Sequence, residues 1–134
     1  MKKIIMSILA LSFVSFADMH AVISNKNMKD LSEVQIKAIF LKKLVFVKDM
    51  KAIPINLEAR NPLRSKFESH IIHMSFSRLK SYWTKQHYLG HRPPINMKSQ
   101  ESIKSFVKKV DGAVGYIDMA NVDDSVKVIY KWSD

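Results

Sequence analysis

The chain has 134 residues, 22 Lys and Arg against 12 Asp and Glu, a formal net charge of +10 and no cysteine. That length suffices for one domain with a modest core. The missing cysteine excludes disulfides, a thiol nucleophile and a lipoprotein-type lipidation site. The charge is uneven. Residues 60–109 carry eleven Lys and Arg and only two acids, Glu68 and Glu101, whereas the stretch from Val110 onward has two Lys and five Asp. Such a field favours anions: phosphate-like solutes, acidic polymers or anionic lipid surfaces. The bland alternative, a basic surface that aids solubility, stays open. Nucleic acid is not expected as a partner, because no nucleic-acid motif is present and the N-terminus reads as an export signal.

That signal is Met1-Lys2-Lys3, followed by an apolar run from Ile4 to Phe16, with Ser15 and Ala17 as the small residues of a cleavage site before Asp18. The layout is that of a secretory signal peptide over residues 1–17, cleaved after Ala17. The run is shorter than the roughly 20 residues of a comfortable membrane span. Retention as an N-terminal anchor is the alternative. With no cysteine, the expected location is periplasmic, and residues 18–134 are the expected domain.

His20 to Ser24 reads as a short strand. "LSEVQIKAIF" starts a helix: Ser32 and Gln35 form a capping box, Leu31 and Ile36 a hydrophobic staple, and Ile36, Ile39 and Phe40 the buried stripe. Leu44 to Val47 is a brief extended piece, and Lys48 to Lys51 a polar turn. Ala52 to Leu57 reads as a strand, with Pro54 predicting an edge position or a strand end. A helix follows from Pro62, with Leu63, Phe67, Ile71 and Met74 on one face. Ser75 caps the next helix, which carries Leu79, Tyr82, Trp83 and His87 or Tyr88 and ends at Gly90. "HRPPINMK" reads as an extended loop, because its two prolines forbid helix. Ser99 caps a fourth helix that buries Ile103, Phe106, Val107 and Val110, and Gly112 ends it. Ala113 to Ile117 and the alternating Val126 to Trp132 read as strands. The fold class is α/β, with a small mixed sheet flanked by about four helices.

Several stretches resemble, in order, those of periplasmic phosphate-binding proteins of ABC transporters. "LSEVQIKAIFLKKLVFVKDMKAIPIN" is similar to that family's Leu-Ser…Ile-Phe-x-Gly-Lys…Trp-x-Asp-Gly…Ile-x-Pro stretch. Asn61 to Phe67, Tyr82-Trp83, Arg92-Pro93-Pro94 and Gly112 to Tyr116 follow the order Ser-Pro-Leu-Arg-x-x-Phe, Tyr-Trp, Arg-Pro-Pro, Gly-Ala-Ile-Gly-Tyr of its short, single-lobe members. The resemblance covers about Ile23 to Asp118. It implies one lobe of a type II periplasmic-binding-protein-like fold, a small oxyanion ligand with phosphate first, and a membrane transporter or sensor as partner. The departures are specific. Lys42-Lys43 stands where Gly-Lys is usual, Met50 replaces a turn glycine, and Asn61-Pro62-Leu63 replaces Ser-Gly-Thr ahead of the helix.

The candidate ligand site is the turn into that helix: Arg60, Asn61, Leu63, Arg64 and Ser65. A helix N-terminus offers unpaired N–H groups and partial positive charge, and strand ends in α/β sheets collect ligands. Backbone N–H groups of Leu63, Arg64 and Ser65 are expected to face outward, with Arg60 and Arg64 adding charge-assisted bonds. The competing reading is an ordinary capped helix, with Arg64 paired to Glu68 four residues on. His70, His73, His87 and His91 are scattered without a metal-site pattern, and the dispersed methionines suit core packing, so no metal or cofactor is expected. No Gly-x-Ser-x-Gly elbow or other catalytic set is present, and a non-catalytic protein is expected. A fold that has lost its ligand and serves as an envelope protein-interaction module is the alternative function.

Overall fold

The computed structural model describes residues 18–134; the expected signal peptide, residues 1–17, lies outside them. In chain order the elements are β1 (Met19–Ser24), α1 (Glu33–Phe40), β2 (Phe46–Val47), β3 (Met50–Lys51), β4 (Ile53–Leu57), α2 (Pro62–Phe67) continued by a π turn (Glu68–Ile72), α3 (Phe76–Tyr88), β5 (Ile95–Met97), α4 (Gln100–Lys109), β6 (Ala113–Asp118), a short 3₁₀ turn (Met119–Asn121) and β7 (Lys127–Ser133). One mixed sheet has the order β5-β4-β6-β1-β7, and β2 and β3 form a separate ribbon. β4 is parallel to β5 and β6, because helices carry the chain back across the sheet between them. β1 is antiparallel to both β6 and β7, with Val22 opposite Tyr116 and Tyr130. A strand paired on both sides and covered on both faces reads as a continuous apolar run, which Ala21-Val22-Ile23 is.

Alternation along β6 defines the two faces. Gly115 faces α4 so closely that an added Cβ would lie 2.4 Å from a methyl of Ile103. Tyr116, one residue on, faces the other way. It stacks on Phe67 with ring centroids 4.0 Å apart, and Phe40 meets Phe67 edge-on at 4.6 Å. These rings from α1, α2 and β6 sit at the centre of the core, and Trp132 of β7 borders them at 5.9 Å from Phe67.

The capping box of α1 is present: Ser32 Oγ accepts from the Gln35 N–H, and Gln35 Oε1 accepts from the Ser32 N–H. Leu31 and Ile36 are both buried. Pro54 proves to stand in an interior strand, near its start. β5 joins β4 only from Ile55 onward, so the donor that proline lacks faces a place where no neighbour reaches.

Four expectations are corrected. The polar turn shrinks to Lys48-Asp49, because Met50 and Lys51 pair with Val47 and Phe46. The helix from Pro62 does not run regularly to Met74. After Phe67 it widens into a π turn closed by the His73 N–H donating to the Glu68 carbonyl, and His73 ends it at φ 55°. The wider turn lets the adjacent Ile71 and Ile72 both be buried. The proline-led loop contains an edge strand, β5, hidden because its first residue, Ile95, faces solvent and leaves no alternation to read. On α3 only Leu79 is buried, Tyr82 and Trp83 are partly covered, and His87 and Tyr88 face solvent.

Candidate functional site

The three parallel strands end on one side of the sheet, at Leu57, Met97 and Asp118. α2 and α4 begin there, at the N-caps Asn61 and Ser99. From β4 the chain first goes to β5, then returns across β4 to β6, so strand order reverses between β4 and β6, the place where open α/β sheets form a ligand crevice. A polar hollow of about 390 Å³ lies there, lined by Asn61, Lys98, Ser99, Gln100, Lys104 and Asn121, with Glu101 as its acid.

The five residues expected from the sequence do not all meet in it. Asn61 lines the hollow. Its Oδ1 accepts from the Leu63 N–H at 3.0 Å and its carbonyl accepts from the Arg64 N–H at 3.0 Å, so two of the three expected outward donors are used within the turn. Leu63 is buried. Arg64 turns away, toward the sheet edge. Its Nη1 donates to the Leu57 carbonyl at 2.9 Å and approaches Asn96 Oδ1 at 3.4 Å. Its Nε lies 3.4 Å from a Glu68 carboxylate oxygen, an ion-pair contact without an aligned hydrogen bond. Arg64 and Ser65 line a different and larger cleft, about 760 Å³, between α2 and α3. Arg60 is exposed in the loop before the cap.

Arg64 is thus a brace between β4, β5 and the π turn. Burial raises the Glu68 carboxyl above its usual range, and Arg64 opposes that shift. The end of β4 is held from the other side by Tyr116, whose hydroxyl accepts from the Leu57 N–H at 3.1 Å and donates to Asn56 Oδ1 at 2.5 Å. Burial pushes that phenol far above its ordinary value.

A hydrogen-bond network that begins at His20 reaches the hollow through Gln100. The His20 side chain is 1% exposed, and each of its ring nitrogens meets a carboxylate oxygen at 2.7 Å: Nδ1 meets Asp118 and Nε2 meets Asp134. Asp118 Oδ2 accepts from Gln100 Nε2 at 2.8 Å, and Gln100 Oε1 accepts from the Asp118 N–H at 2.8 Å and from Asn121 Nδ2 at 2.7 Å. Lys104 donates to the Asn121 carbonyl and to Asp123, whose carboxyl is held well below its usual range by Ser125 and then by Lys104. Lys98 forms no ion pair among the described residues. The hollow therefore offers Lys98, part of Lys104, the amide side chains of Asn61, Gln100 and Asn121, and the starts of two helices.

Lys98, Gln100, Lys104 and Asn121 were not legible as site residues. Ser99 is recognisable as a cap, but bringing it beside Asn61 needs the parallel pairing of β4 with β5, and β5 is the concealed strand. The partners of His20 lie 98 and 114 positions away, beyond any local pattern.

No protein-family model matches the chain, and no curated protein matches its sequence. Solved structures do match. An ABC-type phosphate transport receptor from Vibrio cholerae aligns with a TM-score of 0.66 and 22% identity, over 85% of this chain and 46% of the receptor. A protein assigned as a phosphate ABC transporter substrate-binding protein, from Clostridium perfringens and with bound phosphate, aligns with a TM-score of 0.68 and 28% identity, over 85% and 45%. PstS from Borrelia burgdorferi aligns with a TM-score of 0.55 and 14% identity, over 76% and 42%. The described residues have the fold of a single lobe of such periplasmic phosphate-binding proteins, with a five-stranded mixed sheet and four helices. The chain spans less than half the length of the proteins it matches. Among the described residues, no helix is long and apolar enough to cross a membrane.

Proposed function

We propose that this protein is a non-catalytic, periplasmic solute-binding-like protein that holds phosphate or a related oxyanion, in a phosphate ABC-transport or sensing context with a membrane transporter or sensor as partner. The observation that carries this reading is the polar hollow at the strand ends, on a fold shared with phosphate receptors, one of them solved with phosphate. Asn61, Ser99, Lys98 and Lys104 line that hollow, and Arg60 supplies further charge from the adjacent loop. Arg64 contributes its field and holds the turn in place, with Leu63 anchoring the helix beneath it and Ser65 on its outer side.

A thermal-shift titration at fixed ionic strength tests this. Phosphate at about 100 times its dissociation constant should add about 2.7 kcal/mol of stability. Arg60→Ala and Lys98→Ala should remove most of that gain and leave the ligand-free melting temperature unchanged. If phosphate, phosphonate and sulfate stabilise no more than chloride does, the reading fails.

One observation favours a second reading, an envelope protein-interaction module without a small ligand: the Leu63 and Arg64 N–H groups already have partners inside the turn. Specific capture of one envelope protein, undiminished by Arg60→Ala and Lys98→Ala, together with a flat anion titration, would favour that module.

A further inference from the structure

The cleft between α2 and α3, about 760 Å³, shares no lining residue with the hollow, and its volume is in the range of small-molecule sites. Its form follows from the way α3 is seated. The left-handed His73 ends the π turn, and Ser75 caps α3 by accepting from the Arg78 N–H. Leu79 is the one buried residue of that helix. Tyr82 pins another side of it, its hydroxyl donating to the Leu41 carbonyl at 2.5 Å. The side that carries Phe76, Lys80 and Trp83 is left lining the cleft.

Phe76, Leu79, Lys80 and Trp83 stand at i, i+3, i+4 and i+7, so a single helix face makes this wall. Phe76 is 75% exposed and Trp83 half-buried. Two turns separate them, roughly 10 Å along the helix axis. Leu79 and Met74 add further apolar surface. Two rings beside an aliphatic floor suit a flat apolar body.

The facing wall, from α2 and the π turn, is polar and carries Arg64, Ser65, Glu68 and Ser69. Glu68 lies 3.4 Å from Arg64, and burial raises its carboxyl, which lessens the negative charge it brings. His73, the other titratable group of the lining, faces Glu33 at 3.0 Å. Lys80 forms no ion pair among the described residues. No Asp or Glu occurs anywhere over residues 69–100. The uncompensated charge at the cleft is therefore positive, and it sits on the same helix face as the rings.

We propose that this cleft is a second binding site, for a small organic anion with a flat aromatic body: the body lies against Trp83, Phe76 and Leu79, and its carboxylate or phosphate meets Lys80. An inorganic oxyanion would leave the rings unused. An aromatic cation would meet Lys80 with no unpaired acid to offset it. The site stands apart from the phosphate reading of the hollow and does not depend on it.

The chain has two tryptophans, Trp83 at the cleft and Trp132 in the core, so two indole N–H resonances report on it in isotope-labelled full-length protein. Trp83→Phe identifies its own signal by removing it. Naphthoate, its neutral twin naphthamide, and acetate are titrated at fixed ionic strength. Naphthoate should shift the Trp83 signal saturably and leave that of Trp132 in place. Naphthamide should bind about three- to fivefold more weakly, the worth of one exposed charge, and acetate should shift neither signal. Lys80→Gln should lower naphthoate affinity to that of naphthamide and leave the melting temperature unchanged, because Lys80 is exposed and without an ion-pair partner. Added inorganic phosphate should not displace naphthoate. The proposal is overturned by the absence of a saturable Trp83 shift, by undiminished naphthoate affinity in Lys80→Gln, or by displacement with phosphate, which would place the naphthoate in the hollow.

Discussion

At Gly112 a methyl group would lie 1.9 Å from the Lys51 carbonyl oxygen, and the residue has φ 84°. The obstacle is backbone, so it cannot swing aside. Gly112→Ala should cost at least about 1–2 kcal/mol from the left-handed conformation alone, and more from the clash, measured by urea denaturation. Arg64 is the other decisive residue. Arg64→Ala leaves the Leu57 carbonyl and the half-buried Glu68 carboxylate without their partner, and should cost about 1–3 kcal/mol. Lysine should not rescue it, because one ammonium cannot reproduce the guanidinium fork that reaches β4, β5 and the π turn together. A ligand effect seen with an Arg64 variant would therefore be confounded by instability, whereas the exposed Arg60 and Lys98 are clean probes.

Between elements, the junction of β1, β7 and α2 is electrostatic. Asp134 accepts from Lys66 Nζ at 2.8 Å and faces His20 Nε2 at 2.7 Å. Lys66 first, then His20, hold its carboxyl below the usual range. An acid whose folded value is depressed contributes stability that is complete above its unfolded value, about 3.9, and is lost as pH falls through the folded value. Asp134→Asn should therefore flatten the loss of stability below about pH 4 in urea titrations at stepped pH. Glu68 has the opposite sign: its raised carboxyl favours the fold at low pH, and that contribution fades as pH rises through the mildly acidic range. Elements whose signals are local were legible in the sequence. Ser32 with Gln35, Asn61 before Pro62, Ser75 and Ser99 each mark a helix start because capping acts across two or three residues. The extended piece over Leu44 to Val47 contains β2, but β3 and β5 were not legible, because two or three residues carry too little periodicity. Half of the hollow was hidden with β5, since Lys98 and Ser99 come beside Asn61 only through that pairing. The direction of Arg64 was equally hidden: its first partner is a carbonyl of the preceding strand, which leaves no mark in side-chain sequence.

Across the whole molecule, the β2–β3 ribbon and the polar hollow occupy opposite ends of the same strand, β4. The position of β1 has a consequence in time. The first strand of the sheet is zipped between the last two, and His20 meets partners 98 and 114 positions away. Most of the chain must be looped out before these contacts form, which raises contact order and slows folding. Yet the ends of that loop finish side by side, the Asp134 N–H donating to the Asp18 carbonyl at 3.1 Å. A circular permutant that joins residue 134 to residue 18 through a short glycine linker, and opens the exposed turn at Gly90-His91, makes β1 and β7 neighbours in sequence. In stopped-flow refolding it should fold faster than the parent. Equal rates would mean that closing this central strand is not the step on which assembly waits.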